Sequence, residues 1–105
     1  MHDLNVHAGA GISAIAFERS HQIDLGYDVE HDARNHTVEE LMRIGVCYAE
    51  FGVNQLEDAG QDEPHPFWPD TIPWVSEKDP YLYITKGAAF IAAALDLKQA
   101  KDMER

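Results

Sequence analysis

The residues best suited to chemistry lie in one short segment, FERSHQIDLGYDVEHDARNH, which runs from Phe17 to His36. It holds three of the chain's six histidines and five of its acids, together with Arg19 and Arg34. Imidazole and carboxylate groups close together can hold a metal ion, transfer protons or bind a polar ligand. They can also form a hydrogen-bonded polar loop between two helices. Spacing and context must decide among these four alternatives.

A transition-metal site is the first alternative. The ligand types for it are present at Glu30, His31, Asp32 and His36. On one continuous helix, histidines five residues apart face different sides, whereas in a loop the spacing leaves the geometry open. The order Glu-His-Asp also differs from the H-E-x-x-H motif of zinc proteases. The sequence therefore favours a polar loop that anchors two helices, and it predicts no metal and no cofactor.

A magnesium-dependent nucleotide pyrophosphohydrolase of the all-α MazG kind is the second alternative. Such enzymes hold magnesium through E-x-x-E and E-x-x-D pairs on facing helices, because several carboxylates must converge on the ion. None of the acids along the second helix and just after it gives such a pair at the required spacing; they are Glu39, Glu40, Glu50, Glu57 and Asp58. An enzyme of this kind would have to use Glu18, Asp32, Glu39 and Glu40. The sequence leaves the question of enzymatic activity open and favours a protein that binds without catalysis.

A ligand-binding site is the third alternative, and it draws on more of the chain. Arginine and lysine contact phosphate, while tyrosine and tryptophan offer faces on which a base stacks. Arg19 and Gln22 are one helical turn apart and point the same way. The predicted ligand-binding residues are Arg19, Gln22, Tyr27, His31, His36, Trp68, Trp74, Lys78 and Lys86.

Each of these residues has an expected role in the ligand-binding hypothesis. Arg19 and Lys86 would contact phosphate, and Tyr27 and Trp74 would stack on a base. Gln22, His31 and His36 would form hydrogen bonds to polar edges of the ligand. Two structural alternatives stay open at this point: the tryptophans can be core residues, and Arg19 can form an ion pair with an acid such as Asp32.

Three principal helices must position these residues, so the predicted fold class is mainly α. Apolar periodicity predicts helices over 12–25, 37–52 and 80–100. Gly26 is suited to end the first helix with a positive φ angle, and "TVEE" from Thr37 to Glu40 is a capping box for the second. Asp79 before a proline is a strong start for the third. Gly45, inside the second helix, suggests a close approach by another helix or a ligand.

The remaining segments complete one predicted domain, 1–105. Residues 1–11 lack periodicity and are expected to be a flexible arm. Residues 53–79 contain four of the five prolines and both tryptophans, which excludes a regular helix across the prolines. We expect this proline and aromatic loop to pack across the three helices through its aromatic side chains.

Composition excludes several classes of protein. A net charge of -11 argues against a conventional nucleic-acid binder, which needs a basic face. We expect no membrane segment and no signal peptide, since the chain lacks a run of eighteen apolar residues and begins with a polar segment. The single cysteine, Cys47, favours a reduced cytoplasmic protein with a buried thiol. The small-residue run KGAAFIAAALDL favours a homo-oligomer, and the acidic charge leaves open an inhibitor that binds a basic host protein.

The segment ERSHQIDLGYDVEHDARNHTVEELMRIGVCYA (18–49) resembles a group of small proteins encoded by phages and prophages. Their pattern is E-R-x-x-Q-I, then G-Y or G-W, then E-H-D, a histidine, and E-L before a helix with C-Y-A. The later segments WPDTIPW (68–74), EKD (77–79) and TKGAAFIAAAL (85–95) also resemble that group. The chain departs from the pattern in an acidic insertion around 55–63 and at Tyr83 and Ile84.

A more distant resemblance is to the ryanodine-receptor repeat domain, through Gly26, Tyr27, Lys78 and Asp79. The similarity to prokaryotic versions of that domain implies binding of nucleotide-derived signals made by TIR-type immune enzymes. Taken with the phage resemblance, it implies a non-enzymatic protein in the host cytoplasm. Such a protein would sequester a cyclic nucleotide or an ADP-ribose-type signal and so counter host defence.

Overall fold

The computed structural model describes residues 4–57 and 77–103, with side chains from residue 9 onward. These ranges contain four helices and no strand. The helices are α1 (Leu4–Asp24), α2 (Val29–Asn35), α3 (Val38–Glu57) and α4 (Pro80–Met103). The predicted mainly α class is therefore confirmed for the described part of the chain. None of the described helices has an apolar stretch long enough to cross a membrane.

Helix α4 is the element on which α1, α2 and α3 all pack. Its largest contact is with α3, and the two helices together supply the hydrophobic core. The core residues are Leu41, Ile44, Tyr48 and Phe51 from α3 and Tyr83, Phe90, Ala94 and Leu97 from α4. Tyr48 stacks on Phe90 with ring centroids 5.7 Å apart. Removing this apolar surface from water is the main favourable contribution to folding.

Glycines allow α3 and α4 to approach closely. A Cβ atom on Gly45 would lie 2.6 Å from the carbonyl oxygen of Gly87 and 2.7 Å from Cγ1 of Ile91. Real Cβ atoms do not make contacts this short, so neither backbone nor side chain leaves room for alanine. The close approach that the sequence predicts at Gly45 is confirmed, and the neighbour is a helix.

Gly26 ends α1 as the sequence predicts. Its φ angle is 104°, in the left-handed region that favours glycine. The amide of Gly26 donates to the carbonyl of Ile23 at 2.9 Å, and the amide of Tyr27 donates to the carbonyl of Gln22 at 3.0 Å. These two bonds form a Schellman motif, which satisfies carbonyls at the end of α1 and fixes the position of Tyr27.

The helix boundaries differ from the predicted ones. Helix α1 begins at Leu4, inside the predicted arm, and passes through a kink at Gly9, where φ is 74°. Helix α3 extends to Glu57, and α4 extends to Met103. The predicted flexibility of the arm and the single-domain assignment stay predictions. The proline and aromatic loop falls on 58–76, which lie outside the described residues.

Helix α2 has no counterpart among the predicted helices. It has seven residues, too few to show a clear apolar period, and it depends on its contact with α4 and on its cap. The carboxylate of Asp28 provides the cap by accepting a hydrogen bond from the amide of His31 at 2.9 Å. This short helix determines where the central residues of the candidate site lie.

Candidate functional site

A group of polar side chains lies between the end of α1 and the start of α3, against α4. We call it the polar cluster, and it consists of Arg19, Gln22, Tyr27, His31, Asp32 and His36. Arg19, Gln22, Asp32 and His36 are only 7%, 4%, 2% and 7% exposed, respectively. Side chains of these types are seldom buried so completely unless they are paired. Five of the six members were predicted as ligand-binding residues. Hydrogen bonds and ring contacts join Arg19, Tyr27, His31, Asp32 and His36. Gln22 lies one helical turn from Arg19, and its carbonyl accepts from the amide of Tyr27.

Arg19 connects α1 to the turn that follows it and to α4. Its Nη1 donates to the carbonyl oxygen of Tyr27 at 2.9 Å, and its Nε lies 3.4 Å from Oδ2 of Asp96 on α4. The ion pair that the sequence suggested with Asp32 is therefore formed with Asp96 instead. Its Nη2 is buried and has no hydrogen-bond partner among the described residues. Nη1 and Nε thus make contacts within the fold, whereas Nη2 has a hydrogen that a ligand could accept.

Helix α2 brings the aromatic members together. The ring of His31 packs edge-on against Tyr27, with centroids 5.2 Å apart, and lies 5.8 Å from the ring of His36. His31 Nδ1 is 3.4 Å from Oδ1 of the adjacent Asp32. The side chain of His31 is one-third exposed, and Tyr27 is half-buried. These two rings therefore form the solvent-accessible edge of the polar cluster.

His36 is held by Glu40 at the start of α3. His36 Nδ1 lies 2.5 Å from Oε1 of Glu40, while the amide of Glu40 donates to Oγ1 of Thr37 at 3.0 Å. Only half of the predicted capping box is seen in these bonds, because the glutamate side chain bonds to the histidine. A carboxylate accepts hydrogen bonds, so in the neutral ring of His36 the proton is on Nδ1 and the lone pair is on Nε2.

Several polar atoms of the cluster have no hydrogen-bond partner within residues 4–57 and 77–103. They are Arg19 Nη2, Gln22 Nε2, Gln22 Oε1, Asp32 Oδ2 and His36 Nε2. Leaving one such group unpaired in a buried place costs about 1–3 kcal/mol. The set includes donors and acceptors, so a polar occupant with both kinds of atom could satisfy it.

Burial also changes the acidity of Asp32. Removal from water raises the pKa of its carboxyl group above the ordinary value, and this effect outweighs the opposing hydrogen bond from His31 and the charge of Arg19. The site therefore holds a carboxylate whose negative charge is poorly compensated. An additional cation or donor beside Asp32 would favour the charged form.

The other predicted ligand-binding residues are not part of the polar cluster. Lys86 Nζ is 2.9 Å from Oε1 of Glu77 and 5.7 Å from the ring centroid of Tyr48. It precedes Asp96 by ten residues on α4, which corresponds to about 15 Å along the helix. Lys78 is exposed near the start of the same helix, so it also lies far from Arg19. Trp68 and Trp74 lie outside the described residues.

Sequence reasoning gave some members of the site too little weight. It considered Asp32 for the metal and hydrolase alternatives and as an ion-pair partner of Arg19, but not as a ligand-binding residue, although Asp32 is the most buried polar residue of the cluster. It treated Glu40 as a helix cap or an enzyme carboxylate, and it did not consider Asp96. The E-H-D pattern before a capping box carried a signal for the first two, whereas no local pattern marks Asp96.

The comparisons with known proteins add no assignment. No protein-family model, curated protein or solved structure matches the chain. The function is therefore inferred from the geometry and chemistry of the polar cluster.

Proposed function

We propose that the protein is a non-enzymatic binding protein that sequesters a small nucleotide-derived anion in the polar cluster. The observation that carries the proposal is the set of five buried polar atoms that have no partner in the described part of the chain. A protein rarely keeps several such atoms together without a use for them. A ligand with phosphate oxygens and polar base edges offers both acceptors and donors to this set.

The proposed contacts follow from the chemistry of each side chain. Arg19 would donate from Nη2 to a phosphate oxygen, which forms a strong charge-assisted hydrogen bond. Gln22 has a donor and an acceptor, so it can recognise the amide-like edge of a base. Tyr27 and His31 lie at the solvent-accessible edge, where an aromatic ring of the ligand could stack. Lys86 is too distant to share a phosphate with Arg19.

The ligand class comes from the distant resemblance to the ryanodine-receptor repeat domain, and the biological setting comes from the resemblance to phage-encoded proteins. They extend the proposal to a cyclic nucleotide or an ADP-ribose-type immune signal, bound in the cytoplasm of an infected host. Homo-oligomer formation is also part of the proposal. It is supported by exposed apolar residues on α1, where Ile12 is 55% and Phe17 is 77% exposed.

The magnesium hydrolase is less well supported by the geometry. In the described part of the chain, the carboxylates of Glu18, Glu39 and Glu40 do not join Asp32 in a group that could hold an ion. Glu40 is instead bonded to a histidine. Magnesium prefers oxygen ligands in a near-octahedral arrangement, and two imidazoles in the group do not suit it. The acidic inhibitor of a host protein is supported only by the net charge of -11.

The proposal is tested by recovering bound ligand from the protein. The protein is incubated with a panel of cyclic nucleotides and ADP-ribose derivatives in the presence of a chelator, washed, heat-denatured and analysed by mass spectrometry. Intact ligand released only after denaturation supports sequestration. If no compound is retained at micromolar protein, the proposal fails and a protein partner becomes the better explanation. A chemically altered product, seen when the chelator is replaced by magnesium, would indicate an enzyme.

Two variants make the test specific to the polar cluster. Gln22→Met removes both unpartnered amide atoms while keeping the length of the side chain, and it should lower ligand retention. His21→Gln changes the neighbouring residue of α1, whose side chain is exposed, and it should leave retention unchanged. Equal retention by the two variants would place the ligand elsewhere on the protein.

A further inference from the structure

We propose that His31, Asp32 and His36 form a binding site for a divalent transition-metal ion. One potential ligand atom from each of the three side chains lies within 4.8 Å of the other two. Nitrogen and oxygen ligands lie about 2.0–2.2 Å from zinc, so two ligand atoms of a tetrahedral site are roughly 3.4 Å apart. Small rotations of the rings would bring the three atoms onto one ion.

The end of α2 explains how histidines five residues apart can share an ion. His31 and Asp32 lie inside the helix, and the helix ends at Asn35. His36 has an extended backbone, with φ at -140° and ψ at 157°, which turns its ring back towards His31. The spacing would fail on a continuous helix, but here the chain leaves the helix between the two histidines.

Glu40 gives His36 the form that a metal ligand requires. Oε1 of Glu40 accepts a hydrogen bond from Nδ1–H of His36 at 2.5 Å, and in the neutral ring this leaves the lone pair on Nε2. Metal-binding histidines commonly have such a carboxylate behind them, because it orients the ring and increases the basicity of the ligating nitrogen. The arrangement matches the pairing of carboxylate, histidine and metal seen in zinc proteins.

An independent observation points to an occupant at this place. Nε2 of His36 and Oδ2 of Asp32 are both buried and have no hydrogen-bond partner within the described ranges. The side chains are only 1% and 3% exposed, respectively. A lone pair and a carboxylate oxygen in such a place are acceptors without a donor. A cation that lies between the two atoms satisfies both at once.

The chemistry of the ligands indicates the class of metal. Two imidazoles and one carboxylate suit zinc, cobalt, nickel or iron(II), whereas magnesium and calcium prefer oxygen ligands alone. Three protein ligands leave at least one coordination position for water or an anion, and His31 provides the exposed side. The inference goes beyond the proposed ligand binding and does not depend on it.

The test is a titration of the full chain with cobalt(II) alone, in the absence of any nucleotide. Protein stripped with a chelator is titrated while the visible absorption of cobalt is followed, and zinc is then added in competition. We expect one cobalt ion per chain, visible bands typical of bound cobalt, and displacement by zinc. The absence of cobalt binding at millimolar metal would overturn the proposal.

Variants locate the ion. Asp32→Asn and His36→Gln each remove one ligand and should abolish the cobalt bands, whereas His21→Gln should leave them unchanged. Glu40→Gln keeps all three ligands and should weaken binding by about 10–100-fold, the usual effect of losing an outer hydrogen-bond partner. Cobalt binding that survives Asp32→Asn and His36→Gln unchanged would also overturn the proposal, because it would place the ion elsewhere.

Circular dichroism of each variant shows whether the variant is folded. If a ligand variant does not fold, Glu40→Gln decides, and an unchanged cobalt affinity in that variant contradicts the proposed site. The result is independent of the ligand panel, because that panel is run in a chelator and this titration contains no nucleotide. Either proposal can therefore fail while the other stands.

Discussion

Replacing Gln22 with methionine should make the free protein more stable while weakening its binding of ligand. Gln22 is 4% exposed, and neither atom of its amide has a hydrogen-bond partner among the described residues. Methionine has nearly the same length and no amide group, so it can fill the same space without unpaired polar atoms. A residue that gains stability when it loses its polar group is retained for a reason other than folding.

The size of the effect follows from the cost of an unpaired amide. Burying such a group without a partner costs about 1–3 kcal/mol, and the variant recovers this together with a small gain from apolar burial. For a domain of this size, each 1 kcal/mol corresponds to about 4–8 °C in the midpoint of thermal unfolding. An increase of at least about 4 °C is therefore expected for ligand-free Gln22→Met.

The assay is thermal and urea unfolding of the ligand-free protein in a chelator, followed by circular dichroism. Gln99→Met is the matched control, since Gln99 is exposed on α4 and its amide is solvated. Surface substitutions of this kind usually change stability by less than about 0.5 kcal/mol. The difference between the two variants then reports the unpaired amide and not the general effect of methionine.

A loss of stability in Gln22→Met would contradict this prediction. It would mean that the amide makes hydrogen bonds in the free protein, so its burial would need no ligand to explain it. Gln22 would then no longer count as a buried residue without hydrogen-bond partners, and it would not support the proposed function. Unchanged ligand retention by the variant would contradict the proposed role of Gln22 even if stability increased.

Three further predictions concern acidity, helix packing and assembly. Since burial raises the pKa of Asp32, the native state holds this proton more tightly than the unfolded chain, and stability falls as pH rises from the ordinary carboxyl value to the raised one. Asp32→Asn should thus have a higher free energy of unfolding in urea than the original chain at neutral pH, and the difference should disappear in acid. A difference that does not change with pH would contradict this. Gly45→Ala should lower the free energy of unfolding by about 1–3 kcal/mol, because its Cβ would meet the carbonyl oxygen of Gly87. Gly11→Ala should not lower it, because no described atom lies within 4 Å of a Cβ there. Equal effects of the two variants would contradict the predicted close packing. Phe17→Ser should lower the mass measured by light scattering if α1 forms the oligomer contact, and an unchanged mass would place that contact elsewhere.

Local signals in the sequence predict the main helices, the end of α1 and the starts of α3 and α4, but not the start of α1 or the ends of α3 and α4. Gly26 ends α1 with a positive φ angle, and Asp79 caps α4 by accepting from the amide of Tyr81 at 3.0 Å. Both helix ends depend on neighbours only a few residues away, so a short segment of sequence is enough to predict them. The same locality explains why Arg19 and Tyr27 lie together, because the turn at Gly26 joins them.

Features that depend on distant residues could not be predicted in this way. Arg19 is paired with Asp96, which lies 77 positions later in the chain. The burial of Asp32 depends on where α2 packs against α4, and α2 itself is too short to form without that contact. Histidines five residues apart diverge on a continuous helix, and their spacing is uninformative in a free loop. In this fold α2 ends between His31 and His36, which no local pattern indicates.

The two proposals make different demands on the same cluster, and this difference can separate them. A metal ion satisfies Asp32 Oδ2 and His36 Nε2 but leaves Arg19 Nη2 and the amide of Gln22 without partners in the described chain. A nucleotide phosphate satisfies the arginine and the glutamine, and it could also occupy an open coordination position of the ion. Gln22→Met should therefore weaken nucleotide binding alone, whereas Glu40→Gln should weaken metal binding directly. If Glu40→Gln also lowers nucleotide retention, and does so only when metal is present, the ion and the nucleotide bind as one unit.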